Sequence, residues 1–263
     1  MAFQTAQRLA NAVVEENDYP GIVASAEEID VTRLLGTNGV LMISAHATQF
    51  TTVVAGVRHL RNRYAREDAK ARLIGTGNPD IVTSSNSKAA IDFDGHYFAP
   101  ASSADLALPV GTTAWGVAYA GYPLDTGSNQ IIGPVIGAGT TSADISPCVG
   151  MSGGTAQRPR FFANDNSTYG STSGTENNAG IFCKFIWGAD TTNGLQAENN
   201  SVTAWADGTY LTPLTDMRFR VGGGLNSAFA HTGEVQKLAV FAMNPFAPAN
   251  TSLLAALRAW LAS

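Results

Sequence analysis

Two cysteines, four histidines and a charged fraction of 14% leave this 263-residue chain short of the residues from which most catalytic and metal centres are built. Cys148 and Cys183 are too few for a disulfide framework and fit no zinc spacing. Both stand in apolar, strand-like contexts, SPCVGM and GIFCKFIW, and read as buried thiols, with one disulfide as the alternative. His46, His59, His96 and His231 are scattered, without the paired spacing a metal needs. A net charge of −5 gives no basis for nucleic-acid binding. No long hydrophobic run is present. The most apolar stretch, residues 39–57, is broken by His46, Gln49, Thr51 and Thr52, which argues against a membrane span. The opening MAFQTAQRLANAVVEEN lacks the apolar core of a signal peptide.

What the chain does have is 27 glycines and many Ser, Thr and Asn, the composition of a β-rich protein with many turns. Phe3, Ala6, Leu9, Ala10 and Val13 recur at helical spacing, so residues 3–16 read as an amphipathic helix. Ser25-Ala26-Glu27-Glu28 has the form of a helix start, with acids in the first turn. Residues 40–44 form a short apolar run, and residues 50–54 are β-branched and strand-like. Residues 57–72, VRHLRNRYAREDAKAR, hold six of the sixteen basic side chains. With Val57, Leu60 and Tyr64 on one face, they read as a short basic helix. It is a solvated face or an electrostatic contact for an acidic partner, with Arg58, Arg61, Arg63 and Arg66 as the contact residues.

Residues 75–79 mark the expected boundary between an N-terminal helical or mixed anchoring segment, 1–75, and a second domain, 76–263. Beyond it, eight short apolar or alternating runs are separated by Gly, Asn, Asp, Ser and Pro clusters, at 89–93, 114–119, 130–136, 160–163, 180–187, 201–205, 217–221 and 234–242. That spacing predicts an antiparallel jelly-roll β-sandwich. Asn244-Pro245 ends the last run, and Asn250 or Thr251 caps a short C-terminal helix whose stripe is Leu253, Leu254, Leu257, Trp260 and Leu261.

Three stretches carry a family likeness: AIDFDG at 90–95, SVTAWADG at 201–208 followed by MRFRVGG at 217–223, and the closing strand at 233–241 with its helix. In this order they resemble the concanavalin A-like lectin/glucanase superfamily, in its laminin G-like or pentraxin-like branch. The likeness covers residues 80–263, leaves the first 75 without a counterpart, and departs at Asn244, where Asn-Pro-Phe-Ala-Pro replaces the usual polar turn. It implies a scaffold more than an activity, since this fold hosts lectins, glycosidases, adhesion modules and virion proteins.

No catalytic residue is assigned. Asp92 and Asp94 alternate but lack a third acid, and read as hairpin residues. Calcium at the rim, through Asp92, Asp94, Asp207 or Asp216, is the one cofactor the resemblance allows, and none is otherwise expected. Gly150-Met-Ser152-Gly-Gly154 matches G-x-S-x-G in letters only, because a strand and not a helix follows it. The polar segment 164–180 offers a glycan contact at Tyr169 with Asn164 and Asn166, an aromatic platform beside amide groups. Trp187 and Trp205 fall inside strands and read as core.

Two functions follow as expectations. The first is a non-enzymatic structural protein of a tailed-phage virion, as a capsid decoration, fibre or tail component. Its partners would be other virion proteins or copies of itself, held through the N-terminal segment. The second is a carbohydrate-binding module or adhesin recognising surface glycans. Neither calls for nucleic acid or membrane.

Overall fold

The computed structural model describes residues 25–45, 51–54, 57–62, 64, 72–76, 79–94, 96–100, 106–108, 111–123, 129–134, 149–152, 158–161, 179–207, 217–222 and 231–263, with only the backbone in part of several strands. The described residues are mainly β, in two antiparallel sheets flanked by two helices. The helix expected at 3–16 lies outside them.

The first sheet contains eight strands: β1 (Gly39–Ser44), β5 (Asp80–Thr83), β6 (Ala89–Asp92), β9 (Ala114–Pro123), β13 (Cys183–Asp190), β14 (Gly194–Asn199), β15 (Val202–Asp207) and β17 (Gly233–Phe241). Their order is β15-β14-β13-β9-β17-β6-β5. β1 runs beside the C-terminal half of β17, from Gly39 opposite Phe241 to Ser44 opposite Lys237. The second sheet contains β2 (Thr51–Val54), β3 (Val57–Arg61), β4 (Arg72–Thr76), β7 (Tyr97–Pro100), β10 (Asn129–Pro134), β11 (Val149–Ser152), β12 (Arg158–Phe161) and β16 (Met217–Val221), in the order β12-β11-β10-β16-β7-β4-β3-β2. A two-residue strand, β8 (Ala107–Leu108), also pairs with β16.

Each of the eight apolar runs named from the sequence overlaps a strand. Two expectations need correction. Residues 57–61 of the supposed basic helix are β3, paired from Val54–Val57 to Thr51–Leu60 with β2 and from His59–Ile74 to Arg61–Arg72 with β4. A β-branched partner four residues long, two residues upstream, outweighs a weak helical stripe. The sandwich also takes in more than residues 80–263, because β1 to β4 are hydrogen-bonded into both sheets. β4 pairs with β7 from Leu73–Pro100 to Thr76–Tyr97, across the boundary expected at 75/76.

The sheets enclose one apolar core. Leu41 and Ile43 of β1, Ile91, Trp115, Val117, Tyr119, Phe185, Trp187, Leu238 and Val240 meet Leu60, Phe98, Leu108, Val149, Phe219 and Val221 of the second sheet. Cys183 is buried there, its thiol donating to the Ile181 carbonyl at 3.2 Å, while Cys148 lies outside the described residues. The first sheet is buried on its other face too. β9 reads AWGVAYAGYP, alternating large with small side chains instead of apolar with polar. Trp115, Val117 and Tyr119 fill the inter-sheet core, while Ala118 and Ala120 face helices α1 (Ala26–Leu35) and α2 (Thr251–Ala262). Small residues let the helices approach the sheet closely.

Helix α1 begins as expected, with Ser25 Oγ accepting from the Glu28 amide at 3.2 Å and Gly36 ending it at φ +53°. It buries Val31 and Leu35 against α2, whose Leu253, Leu257, Trp260 and Leu261 form the stripe read from the sequence. Asn250 precedes α2 without capping it; its side chain donates to the Asn244 carbonyl at 2.7 Å. Asn244 in turn donates to Asp190 Oδ2 at 2.7 Å and accepts from the Phe246 amide, which pins the link between β17 and α2 to the β13–β14 hairpin. Burial works against the Asp190 charge, but donors from Asn193, Asn244 and Thr192 outweigh it and hold the carboxyl below its ordinary range. Gly188 lies beneath this link, where a Cβ would stand 2.3 Å from Asn244 Oδ1.

Arg258 of α2 forks onto Glu198 of β14 through Nε–Oε1 at 3.0 Å and Nη2–Oε2 at 2.6 Å, and Glu198 is 1% exposed. Replacing Arg258 by Met should destabilise the fold by roughly 3 kcal/mol, because a buried carboxylate loses its partner. Adding Glu198→Leu should recover most of that loss. Urea unfolding of the two single variants and the double variant measures the coupling.

Candidate functional site

The two sheets carry opposite charge. The strands of the first hold Asp80, Asp92, Asp190, Glu198, Asp207 and Glu234, against Lys184 and Lys237. The strands of the second hold Arg58, Arg61, Arg72, Arg158, Arg160, Arg218 and Arg220, and no Asp or Glu. Side-chain direction alternates along a strand. Since Leu60, Phe98, Phe219 and Val221 point into the core, the positions between them lie on the outer face. Arg220 and Tyr97 are there, the guanidinium 4.3 Å from the ring centroid, a cation–π contact. No described helix covers this face, whereas α1 and α2 cover the centre of the outer face of the first sheet.

Sequence reading missed a second group, three carboxylates in one row. Asp80 stands opposite Asp92, and Asp92 opposite Glu234, on three neighbouring strands. Ile91 and Val235 point into the core, so Asp92 and Glu234 lie on the other face of the first sheet. Cross-strand Cα atoms are about 5 Å apart, so the three acids are close neighbours on the sheet. Burial, and then the neighbouring Asp92 charge, push the Glu234 carboxyl up from its ordinary value. The other two have structural engagements. Asp80 Oδ1 meets Arg58 Nη2 at 2.5 Å, joining the edges of the two sheets. Asp92 Oδ1 accepts from the Asp94 amide at 3.2 Å, in a turn where Asp94 has φ +41°. Acids on separate strands leave no periodic trace in one sequence, and only the register brings them together.

A cavity of about 310 Å³ lies among Ser25, Lys88, Ala89, Gln236, Lys237 and Ser263. Its two lysines serve the end of α2: Lys237 Nζ donates to the Trp260 carbonyl and to Ser263 Oγ, and Lys88 Nζ to the Ser263 carbonyl. Cations there complement the negative end of the helix dipole. Burial, then Lys88, lowers the Lys237 pKa to about 8.

The residues chosen from the sequence as contacts are described only in part. Tyr169, Asn164 and Asn166 lie outside the described residues, as do Arg63 and Arg66. Arg61 is placed by backbone alone, in β3. Arg58 is held within the molecule by Asp80. For the G-x-S-x-G match, Val149–Ser152 is strand β11, with Ser152 opposite Arg158, which rules out a strand-to-helix elbow. Among the described residues no cluster of three metal-ligating side chains occurs, and no helix is long and apolar enough to cross a membrane. Trp187 is buried in the core as expected.

No protein-family model and no curated protein sequence matches the chain. Solved structures do. A sialidase from Trypanosoma rangeli, solved with a difluorinated KDN ligand, superposes on 98% of this chain at 10% identity and a TM-score of 0.52. This chain spans 39% of that protein's length. Domain 4 of a GH43 extracellular arabinanase from Geobacillus stearothermophilus, solved with arabinotriose, covers 83% of this chain and 98% of its own, at 11% identity and a TM-score of 0.49. A heptameric SAP-like pentraxin from Limulus polyphemus covers 57% of this chain and 72% of its own, at 14% identity and 0.41. The sialidase likeness agrees with the β-sandwich described above and bears on the fold alone.

The raised Glu234 carboxyl has a consequence for stability. A folded-state pKa above the unfolded one contributes stability at low pH that is lost as pH rises through it. Glu234→Gln should therefore stabilise the protein at pH 7, by under about 1 kcal/mol at this partly exposed site. The gain should vanish near pH 3. Melting temperatures of both proteins at the two pH values test this, and an equal gain at both would show that the Asp92–Glu234 repulsion is absent.

Proposed function

We propose that this chain is a non-enzymatic recognition module with a lectin-like fold, and that the outer face of its second sheet binds surface carbohydrate. One observation carries the reading. The centre of the first sheet is buried on both faces, by the core and by α1 and α2, whereas no described helix packs on the second sheet, whose strands carry arginines and no acid. A flat face of that kind suits an extended ligand. The engagements of Asp80 and Asp92 favour binding over hydrolysis, because a glycosidase needs two carboxyl groups available to the substrate. Tyr169, Asn164 and Asn166 are a second proposed contact, on sequence grounds.

A broad glycan array tests this reading, with the bound glycans recovered and weighed. The expected outcome is binding, with the glycans unchanged in mass and the signal reduced by Arg220→Glu. Tyr169→Ala reports on the second contact. Silence across the array, or shortened glycans, would overturn the reading.

A structural role in a virion is proposed in a narrower form than residues 1–75 as a detachable anchor. β1 to β4 are sheet strands, so an anchor belongs within residues 1–24. Deleting residues 1–75 should leave the protein unfolded by circular dichroism. Deleting residues 1–24 should leave it folded and should abolish self-association or binding to virion proteins, as read by native mass. Normal assembly by the shorter variant would count against the anchor.

A further inference from the structure

We propose that Lys237 is a reactive amine, and that the cavity it lines takes a small anionic aldehyde which condenses with that amine. The site belongs to the first sheet and does not depend on the recognition reading above.

Lys237 lies in β17, opposite Ser44 of β1 and Ala120 of β9. It alternates with Ala239 and Phe241, on the face that α1 and α2 cover. Only 6% of it is exposed. Its Nζ donates to the Trp260 carbonyl and, at 2.8 Å, to Ser263 Oγ, where α2 ends. The Trp260 ring centroid is 5.8 Å away, at the outer limit of a cation–π contact. An ammonium group has three donors; a neutral amine has two, with a lone pair in the remaining tetrahedral position. Two acceptors thus satisfy the neutral amine and leave the ammonium with one N–H to place. Among the described residues no third acceptor meets this nitrogen.

The cavity supplies room for a ligand. Its 310 Å³ falls at the lower end of the range for small-molecule sites. Ser263 is exposed and Lys88 half-buried, which puts the mouth at the surface. Gln236 is a fixed wall, its amide donating to Ser84 Oγ at 2.5 Å and to Asn86 Oδ1 at 2.8 Å. Lys88 Nζ donates to the Ser263 carbonyl and keeps two further N–H donors for an anionic group.

Electrostatics act in the same direction. Burial, and then the Lys88 ammonium, lower the Lys237 pKa to about 8, while Glu27 in the first turn of α1 acts the other way and less strongly. At pH 7.4 about a fifth of the Lys237 side chains are then neutral, against about a thousandth for an ordinary lysine near 10.4. Desolvation beside a second cation is a recognised way to make a lysine nucleophilic.

The step is a condensation, with no oxidation or reduction. The Lys237 lone pair forms a C–N bond to the aldehyde carbon as the carbonyl π bond opens onto oxygen. That oxygen leaves as water, with one proton from the nitrogen and one from solvent. The iminium that remains carries the same charge as the ammonium it replaces and keeps one N–H for the Trp260 carbonyl. Lys88 pairs with the anionic group of the ligand.

The test is reductive trapping on the full chain. Glyoxylate is the anionic probe and propionaldehyde the neutral one, each with cyanoborohydride, and peptide mass mapping locates the adducts. The chain has four lysines, so every one can be followed in the same sample. At pH 7.4 glyoxylate should label Lys237 at least tenfold faster than Lys184. Propionaldehyde should show a smaller ratio. Labelling of Lys237 should rise with pH to a half-point near 8, and in urea the lysines should become equal. Lys88→Met, with its fold checked by circular dichroism, should move the half-point upward and remove the preference for glyoxylate. Labelling of Lys237 no faster than Lys184, a preference that persists in urea, or equal ratios with the two aldehydes would each overturn the inference. So would a folded Lys88→Met protein with an unchanged half-point. None of these outcomes bears on the glycan array, so the two readings fail separately.

Discussion

β17 pairs along most of its length with β9 on one side, and on the other with β6 at its start and β1 beyond. Every residue from Val235 to Phe241 is buried, on both faces of the sheet. This strand joins the N-terminal strands, the centre of the first sheet and the C-terminal helix. A strand buried on both faces cannot tolerate a shift of register, because the small and large positions of its neighbours would exchange places. The alternation of Trp115, Val117 and Tyr119 with Ala118 and Ala120 on β9 is the complement that holds it in place.

From that constraint follows the asymmetry of the molecule. Where α1 and α2 close the outer face of the first sheet, several of its carboxylates are structural. Glu198 holds Arg258, Asp190 holds Asn244, and Asp80 ties the edges of the sheets together through Arg58. The strands of the second sheet hold seven arginines and no acid. A chain with an overall charge of −5 thus divides its charge unevenly between its two sheets, and net charge is a poor guide to either of them.

Much of the scaffold was legible in the sequence, for local reasons. Strands announce themselves by short apolar runs between turn residues, and α2 by its leucine and tryptophan stripe. Residues 57–61 misled because Val57, Leu60 and Tyr64 fit a helical stripe, while the evidence for a strand lay in a neighbour. The site was less legible. Arg158-Pro-Arg160 and Arg218-Phe-Arg220 show their alternation plainly, but their membership of one face depends on strand order. The row of Asp80, Asp92 and Glu234 had no signature in the sequence at all, since its members come from three strands.

The sequence by itself determined most of the elements: turn chemistry, hydrophobic period and the Ser25 cap act within a few residues and need no distant partner. Tertiary structure alone decided which face each sheet keeps, which acids meet, and that residues 39–76 enter both sheets. Those outcomes depend on pairing between segments far apart in the chain, as Ile43 with Leu238 shows. Such pairing is chosen by the fit of whole buried surfaces, a property no single stretch of sequence carries.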